Sequence, residues 1–91
     1  MAHIRINRAH SMDNKSIREE VQKLADKLSQ ELEARYQWNG DRLEFERSGA
    51  SGFIAIGENN LNIELKLGML LSPFKGKVEQ SISEYLDRHL V

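Results

Sequence analysis

Apolar residues in the first third of the chain change from a spacing of two to a spacing of three or four. Residues 3–8 alternate Ile4 and Ile6 with polar side chains, and this period of two predicts a strand. A polar cluster at residues 10–14 follows. The next apolar residues fall on one face of a helix: Ile17, Val21, Leu24, Leu28 and Leu32. The pattern therefore predicts a strand, a polar connection and an amphipathic helix.

The start of this helix has more than one candidate cap. Ser16, followed three residues later by Glu19, matches a capping box, in which each side chain bonds the other residue's backbone N–H. Asp13 or Ser11 is an equally suitable N-cap, because a short side chain with an acceptor oxygen satisfies the first helical N–H groups. The residues alone leave the first helical position open.

From residue 36 onward the pattern favours strands joined by tight turns. Residues 36–38 and 42–47 flank Asn39-Gly40, a dipeptide that favours a two-residue hairpin turn because both positions tolerate a positive φ. Within the second of these strands Leu43 and Phe45 lie on one face. A β-hairpin is therefore predicted.

The hairpin is followed by further strands and turns. Gly49 and Gly52 are predicted to bracket a turn before a short strand at residues 53–56, and residues 57–60 form another turn. The strand at residues 61–67 alternates almost perfectly, with these side chains facing inward: Leu61, Ile63, Leu65 and Leu67. One sheet face should be apolar and the other exposed to water.

A final helix is predicted over residues 73–90. Ser72 is placed as the N-cap and Pro73 as the first helical residue, because proline's fixed φ suits that position. Gly76 in the first turn predicts a close approach of the backbone to a neighbouring element. The expected buried stripe consists of Phe74, Val78, Ile82, Tyr85, Leu86 and Leu90.

These elements predict a single α+β domain over residues 1–91, a two-layer sandwich in the order β-α-β-β-β-β-α. Each helix has one apolar stripe and the sheet one apolar face, so both helices should cover the same face of a four- or five-stranded antiparallel sheet. The first strand is expected at an edge or beside the last strand. The arrangement resembles a miniature helix-grip fold, in which a curved antiparallel sheet wraps a long C-terminal helix.

Composition narrows the function classes. The 91 residues carry 13 basic and 14 acidic side chains, a net charge of −1, which gives no general attraction to nucleic acid. There is no cysteine, which excludes disulfides and thiolate chemistry and fits a reducing compartment such as the cytoplasm. No stretch approaches the length of an apolar membrane span, and residues 1–7 lack the apolar run of a secretory signal.

Candidate catalytic and metal-binding groups are sparse. His3, His10 and His89 lie on separate elements without the spacing of a metal site, so neither a metal nor another cofactor is predicted. Glu44 and Glu46 share the open face of a strand with basic residues, and cross-strand ion pairing accounts for them. The sequence therefore predicts no catalytic residues.

The junction between the last strand and the last helix is unusual because three consecutive apolar residues stand where a connection is normally polar. Two interpretations are open: these residues close the end of the core, or they form an exposed apolar edge that contacts a partner. No acidic residue lies between Leu65 and Val78, whereas Lys66 lies beside the junction. The candidate binding residues are Gly68, Met69, Leu70, Leu71, Pro73, Phe74, Lys75 and Lys77.

The segment 68–77, Gly-Met-Leu-Leu-Ser-Pro-Phe-Lys-Gly-Lys, resembles the polyhydroxyalkanoic acid system protein family. The resemblance spans nearly the whole chain and also includes these residues: His3 to Ile6, Trp38-Asn39-Gly40-Asp41, Leu43, Phe45, Arg47-Ser48-Gly49 and Gly52. It implies a small bacterial protein of the polyester storage system, cytoplasmic or at the granule surface, and offers no catalytic residues to carry over.

The resemblance favours a non-enzymatic accessory protein that binds a partner protein of this system or the granule itself. One alternative is a small carrier or sensor that binds an acyl or other apolar ligand between the sheet and the last helix. Another is a homodimer formed through the open sheet face or an exposed strand edge.

Overall fold

The computed structural model describes residues 2–90 and shows five strands and two α-helices. In chain order they are β1 (Ala2–Ala9), α1 (Asn14–Leu32), β2 (Arg35–Asn39), β3 (Arg42–Arg47), β4 (Ala50–Ile56), β5 (Asn60–Leu67), a short 3₁₀ turn (Ser72–Phe74) and α2 (Lys75–His89). The predicted order of elements is confirmed.

The five strands form one antiparallel sheet in the order β1-β5-β4-β3-β2. The first strand lies at an edge and pairs with the last strand, with Ile4 opposite Leu65. Strand β2 forms the other edge. Helix α1 connects these two edges, whereas β2 to β5 follow one another as neighbours, as short turns require.

Both helices pack on the same face of the sheet and share one core. Their buried stripes are Ile17, Val21, Leu24, Ala25, Leu28 and Leu32 on α1, and Val78, Ile82 and Leu86 on α2. The apolar face of the sheet contributes Ile4, Leu43, Phe45, Ile54, Ile56, Leu61, Ile63, Leu65 and Leu67. The α+β prediction is confirmed, because spacings of two and of three to four place these residues toward one interior. The helix-grip resemblance stays a prediction.

Helix α1 begins after Asp13, one of the three candidate caps. The Asp13 carboxylate accepts a hydrogen bond from the Ser16 backbone N–H at 2.7 Å, which makes Asp13 the N-cap. This bond lowers the pKa of Asp13 below its ordinary value. The Ser16–Glu19 capping box is wrong, because the helix already begins at Asn14.

Two predicted turns differ from the structure. The first hairpin exists, but its two-residue loop is Gly40-Asp41 rather than Asn39-Gly40, because Asn39 still pairs with Arg42 and Gly40 has the positive φ, 66°. Gly52 does not end the second turn. It lies inside β4, where an added Cβ would stand 2.2 Å from the Glu64 carbonyl oxygen. Gly52 therefore permits a close approach of β4 and β5 rather than a turn.

The beginning of the last helix also differs. Ser72, Pro73 and Phe74 form a 3₁₀ turn, and the α-helix starts at Lys75. The Ser72 hydroxyl does not cap the helix, because it bonds backward to the Gly68 carbonyl oxygen at 3.0 Å. The predicted close approach at Gly76 is wrong, since an added Cβ would have nothing within 4 Å.

Candidate functional site

The junction between β5 and α2 exposes apolar side chains to water. Within residues 2–90, the large apolar side chains left exposed are Met69 at 84%, Leu70 at 90% and Phe74 at 50%. We call these three residues the apolar lip. Because folding normally removes such side chains from water, three of them at one junction form a candidate interaction surface.

The lip is held in place by backbone hydrogen bonds. The Gly68 N–H donates to the Gly49 carbonyl at 2.7 Å, which ties the junction to the turn between β3 and β4. The Gly68 carbonyl accepts from the N–H groups of Leu71 and Ser72, at 3.1 and 2.9 Å, and from the Ser72 hydroxyl. The side chains of Met69 and Leu70 therefore project from a fixed turn.

Leu71 anchors this turn to the interior. Its side chain is half-buried and packs against the core, while Met69 and Leu70 before it point into water. Gly68 sits tightly beneath the lip, because a Cβ there would lie 3.0 Å from the Gly49 carbonyl oxygen. Leu71 lies on the core side, as the first interpretation expects, and the lip is exposed, as the second expects. Contact of the lip with a partner stays a prediction.

Phe74 does not belong to the buried stripe of α2. It forms one wall of a small depression of about 180 Å³ between the end of α1 and the start of α2. The residues that line this depression are Glu31, Leu32, Leu71, Phe74, Lys77 and Val78. The spacing of Phe74 matches the helical stripe, but at this end the core supplies too few neighbours to enclose the ring.

Exposed lysines flank the lip. Lys75 and Lys77 lie in the first turn of α2, and Lys66 lies on the open face at the end of β5. In the part of the chain that the structure describes, ion pairs are formed by arginine or histidine, and these lysines take part in none of them. One acid, Glu31, lines the depression and accepts a hydrogen bond from the Ser81 hydroxyl at 3.0 Å. The lip is therefore apolar, with three lysines and one carboxylate around it.

The open sheet face carries a second feature that the sequence did not single out. The Arg42 guanidinium lies 3.7 Å from the centre of the Phe53 ring, above a shallow depression of about 570 Å³. Arg5 pairs across the strands with Glu64 at 3.6 Å. Arg5–Glu64 is a cross-strand pair, but the prediction for the two acids of β3 is wrong. Glu44 pairs with Arg42 of its own strand at 3.6 Å, and Glu46 takes part in none of the ion pairs of residues 2–90.

Two aromatic residues of β2 hold the first hairpin to α1. The Trp38 indole N–H donates to Gln22 Oε1 at 2.8 Å, and the Arg18 guanidinium lies 4.2 Å from the Trp38 ring centre. The Tyr36 hydroxyl bonds to Asp26, and this bond raises the pKa of Tyr36. These rings therefore face helix α1 and serve packing.

The titratable groups between the two helices form a separate cluster. The Tyr85 hydroxyl donates to Glu20 Oε1 at 2.8 Å, and His89 Nδ1 lies 3.5 Å from the same oxygen. Burial and then the bond to Glu20 raise the pKa of Tyr85 far above its ordinary range. Among residues 2–90, no group of three or more histidine, aspartate or glutamate side chains is arranged to hold a metal ion.

A family model described as "Putative polyhydroxyalkanoic acid system protein" matches residues 4–90. The chain belongs to this family. The match includes every residue of the apolar lip and confirms the resemblance drawn from the segment 68–77. Curated proteins and solved structures give no match. No helix within residues 2–90 is long and apolar enough to cross a membrane.

Proposed function

We propose that this chain is a non-enzymatic accessory protein of the polyhydroxyalkanoate storage system that works through the apolar lip. The lip contacts the granule or a protein bound to it, and the chain acts in the cytoplasm at the granule surface. Family membership supports the link to the storage system. The observation that carries the contact is the exposure of Met69 and Leu70 on a fixed turn.

The helices support this choice of surface. Amphipathic helices that coat a surface must turn their apolar stripes outward. Here both stripes are buried, with Leu24 and Ile82 each 0% exposed. Using a helix for contact would require opening the core, whereas the lip already stands in water.

The surroundings of the lip support a binding role over a catalytic one. Its polar neighbours are lysines, backbone groups and one carboxylate, Glu31. The groups with raised pKa values, Tyr36 and Tyr85, lie elsewhere, on β2 and in the second half of α2. A catalytic site usually gathers perturbed titratable groups in one cleft. The candidate binding residues Gly68, Leu71 and Pro73 then serve to shape the lip.

The carrier alternative has less support. The depression beside the lip has a volume of about 180 Å³, whereas pockets for small molecules typically measure about 300–1,000 Å³. Between the sheet and α2, Ile4, Ile63 and Ile82 are each 0% exposed, so the space predicted for a ligand is lined by tightly enclosed core side chains. The homodimer through the open face or a strand edge stays a prediction.

Granule fractionation tests the proposed function. Tagged wild-type chain and a Leu70→Glu variant are expressed in cells that accumulate polyester, and the granules are isolated. We expect the wild type with the granules and the variant largely in the soluble fraction. Met69 and Leu70 form the tip of the lip, and a charge at this tip opposes burial in an apolar surface. Equal amounts of both chains on the granules would contradict the proposal.

Two controls accompany this experiment. Leu70→Met keeps the lip apolar and should remain on the granules. Asn59→Asp adds the same negative charge in the exposed turn between β4 and β5, at the other end of the sheet, and should also remain. A loss with Asn59→Asp would show that net charge rather than the lip governs association.

A further inference from the structure

We infer that the apolar lip inserts into an anionic lipid surface, with Met69 and Leu70 among the acyl chains and Lys75 and Lys77 at the headgroup phosphates. This inference rests on the proposed function, because it names the chemistry of the surface that the same lip contacts. It commits to a phospholipid layer carrying net negative charge, not to a protein partner.

The shape of the lip favours a fluid surface. Met69 and Leu70 are 84% and 90% exposed, so almost nothing of this chain encloses them, and they form a projection rather than a groove. A projecting pair of apolar side chains needs a matching pocket on a protein but none in a lipid layer, where acyl chains rearrange around it. Interfacial amphipathic helices bury their apolar face about 5–10 Å deep in such a layer, and here a turn would supply the apolar side chains instead.

The fixed backbone lowers the cost of insertion. The bonds from Gly68 to Gly49 and from Ser72 to Gly68 hold the turn, and Leu71 anchors it to the core. Little conformational freedom of the backbone is then lost when the tip is immobilised. Phe74, half-exposed beside the tip, adds apolar area at the level of the interface.

The charges around the lip match an anionic layer. Lys75 and Lys77 are two residues apart on a helix, so their side chains leave the axis about 200° apart. Lys77 lines the same depression as Phe74 of the lip. Neither lysine takes part in the ion pairs of residues 2–90. Glu31 keeps its negative charge in the depression beside Lys77, and the three lysines around the lip outnumber it. Both ammonium groups are therefore available to phosphates.

Gly76 is consistent with this contact. It lies between the two lysines, and a Cβ added to it would point into open space, so it performs no packing role that a Cβ would disturb. Without a side chain at this position, the first turn of α2 can approach a plane of headgroups closely.

Vesicle flotation tests the inference. Purified wild-type chain is mixed with vesicles of phosphatidylcholine alone, and with vesicles of equal parts phosphatidylcholine and phosphatidylglycerol. We expect flotation with the mixed vesicles and little with the neutral ones. Leu70→Glu and Met69→Asp should each abolish flotation, whereas Asn59→Asp should retain it. Circular dichroism and urea unfolding establish that each variant is folded.

The lysines are tested separately. Lys75→Gln with Lys77→Gln should weaken binding to mixed vesicles about 30-fold, since one lysine near an anionic surface contributes about 1 kcal/mol. Added salt should weaken the wild type similarly, because ions screen exposed charges.

The outcomes separate this inference from the proposed function. Absence of flotation with mixed vesicles, equal flotation with both kinds, or flotation unchanged by Leu70→Glu would each overturn lipid insertion. A further outcome is that the wild type fails to float with vesicles of either kind while Leu70→Glu still removes the chain from granules. In that case the proposed function stands, lipid insertion fails, and the lip contacts a protein or the polyester itself. If neither assay depends on the lip, both proposals fail.

Discussion

The two ends of the sheet differ in the side chains that they expose to water. At the end where β1 finishes, Arg8 pairs with Asp87 of α2, and Arg18 pairs with Asp41 in the first hairpin turn at 3.0 Å. At the end where β5 finishes, the apolar lip projects, and the lysines around it take part in none of the ion pairs within residues 2–90. One end is closed by contacts within the chain, and the other is left open.

This difference locates the candidate site better than any single residue does. An exposed apolar side chain is common on protein surfaces and carries little information alone. The lip differs because its backbone is held by hydrogen bonds while its side chains contact almost nothing. Ion pairs join side chains at one end, and apolar groups are exposed at the other, so the proposed contact surface lies at a single end of the sheet.

The largest expected change in the free energy of unfolding comes from Leu71, which anchors the lip, whereas Leu70 at the tip should have little effect. Leu71→Glu should lower the free energy of unfolding by about 3 kcal/mol, because the charge would enter the edge of the core. Leu70→Glu should change it by less than about 0.5 kcal/mol, as for an exposed position. Urea unfolding measures both. A large loss with Leu70→Glu would show that the tip is part of the core after all.

At the closed end we expect a smaller effect from His10. Its Nδ1 accepts a hydrogen bond from the Met12 N–H at 3.1 Å, at the entry to α1, and the ring is buried. His10→Ala should lower the free energy of unfolding by about 1–2 kcal/mol, because the Met12 N–H loses its acceptor. His10→Asn keeps an acceptor oxygen and should lose less. Equal losses in the two variants would exclude this role of the hydrogen bond.

At the open end, replacing Gly76 by alanine should stabilise the folded chain. Gly76→Ala is expected to raise the free energy of unfolding by about 0.5–1 kcal/mol, because alanine favours the helix and nothing lies within 4 Å of its Cβ. The matched control is Gly49→Ala, which should be destabilising because Gly49 has a φ of 85°. Thermal unfolding compares the two. A destabilised Gly76→Ala variant would mean that the first turn of α2 is packed more closely.

The smallest effect concerns the Asp13 cap and depends on pH. The folded pKa of Asp13 lies below 3.8, so its carboxylate stabilises the fold above that pH, and the contribution is lost as the pH falls through the folded pKa. The difference in stability between wild type and Asp13→Ala should therefore shrink on acidification. Asp13→Asn, which does not titrate, should keep its difference from Asp13→Ala. A difference between wild type and Asp13→Ala that is independent of pH would contradict the cap.

Much of the fold was predictable because its signals are local. Alternation over β5 and a stripe of three to four on α1 place side chains on one face whatever the rest of the chain does. The turns were less predictable. Gly52 was expected at a turn and lies in β4, because a glycine serves equally where the chain bends and where two strands approach closely.

The candidate site was predictable as a segment but not as a surface. Three consecutive apolar residues in a connection indicate a candidate site at residues 68–77, but their spacing does not show which of them are buried in the core and which are exposed. Phe74 fits the stripe of α2 by spacing and is nevertheless half-exposed. The pairing of Tyr85 with Glu20 had no sequence signal, because it joins residues far apart in the chain.

The sequence by itself determined the elements, their order, the single apolar side of the sheet and the family, because periodicity and motifs are properties of neighbouring residues. The tertiary structure alone decided which apolar residues stay in water. That outcome depends on other elements: β5 ends at Leu67, the Gly49 carbonyl binds the Gly68 N–H, and the chain returns to the core at Leu71. Met69 and Leu70 lie between these points, outside the core. No local pattern in the sequence indicates where the chain leaves the core and where it returns.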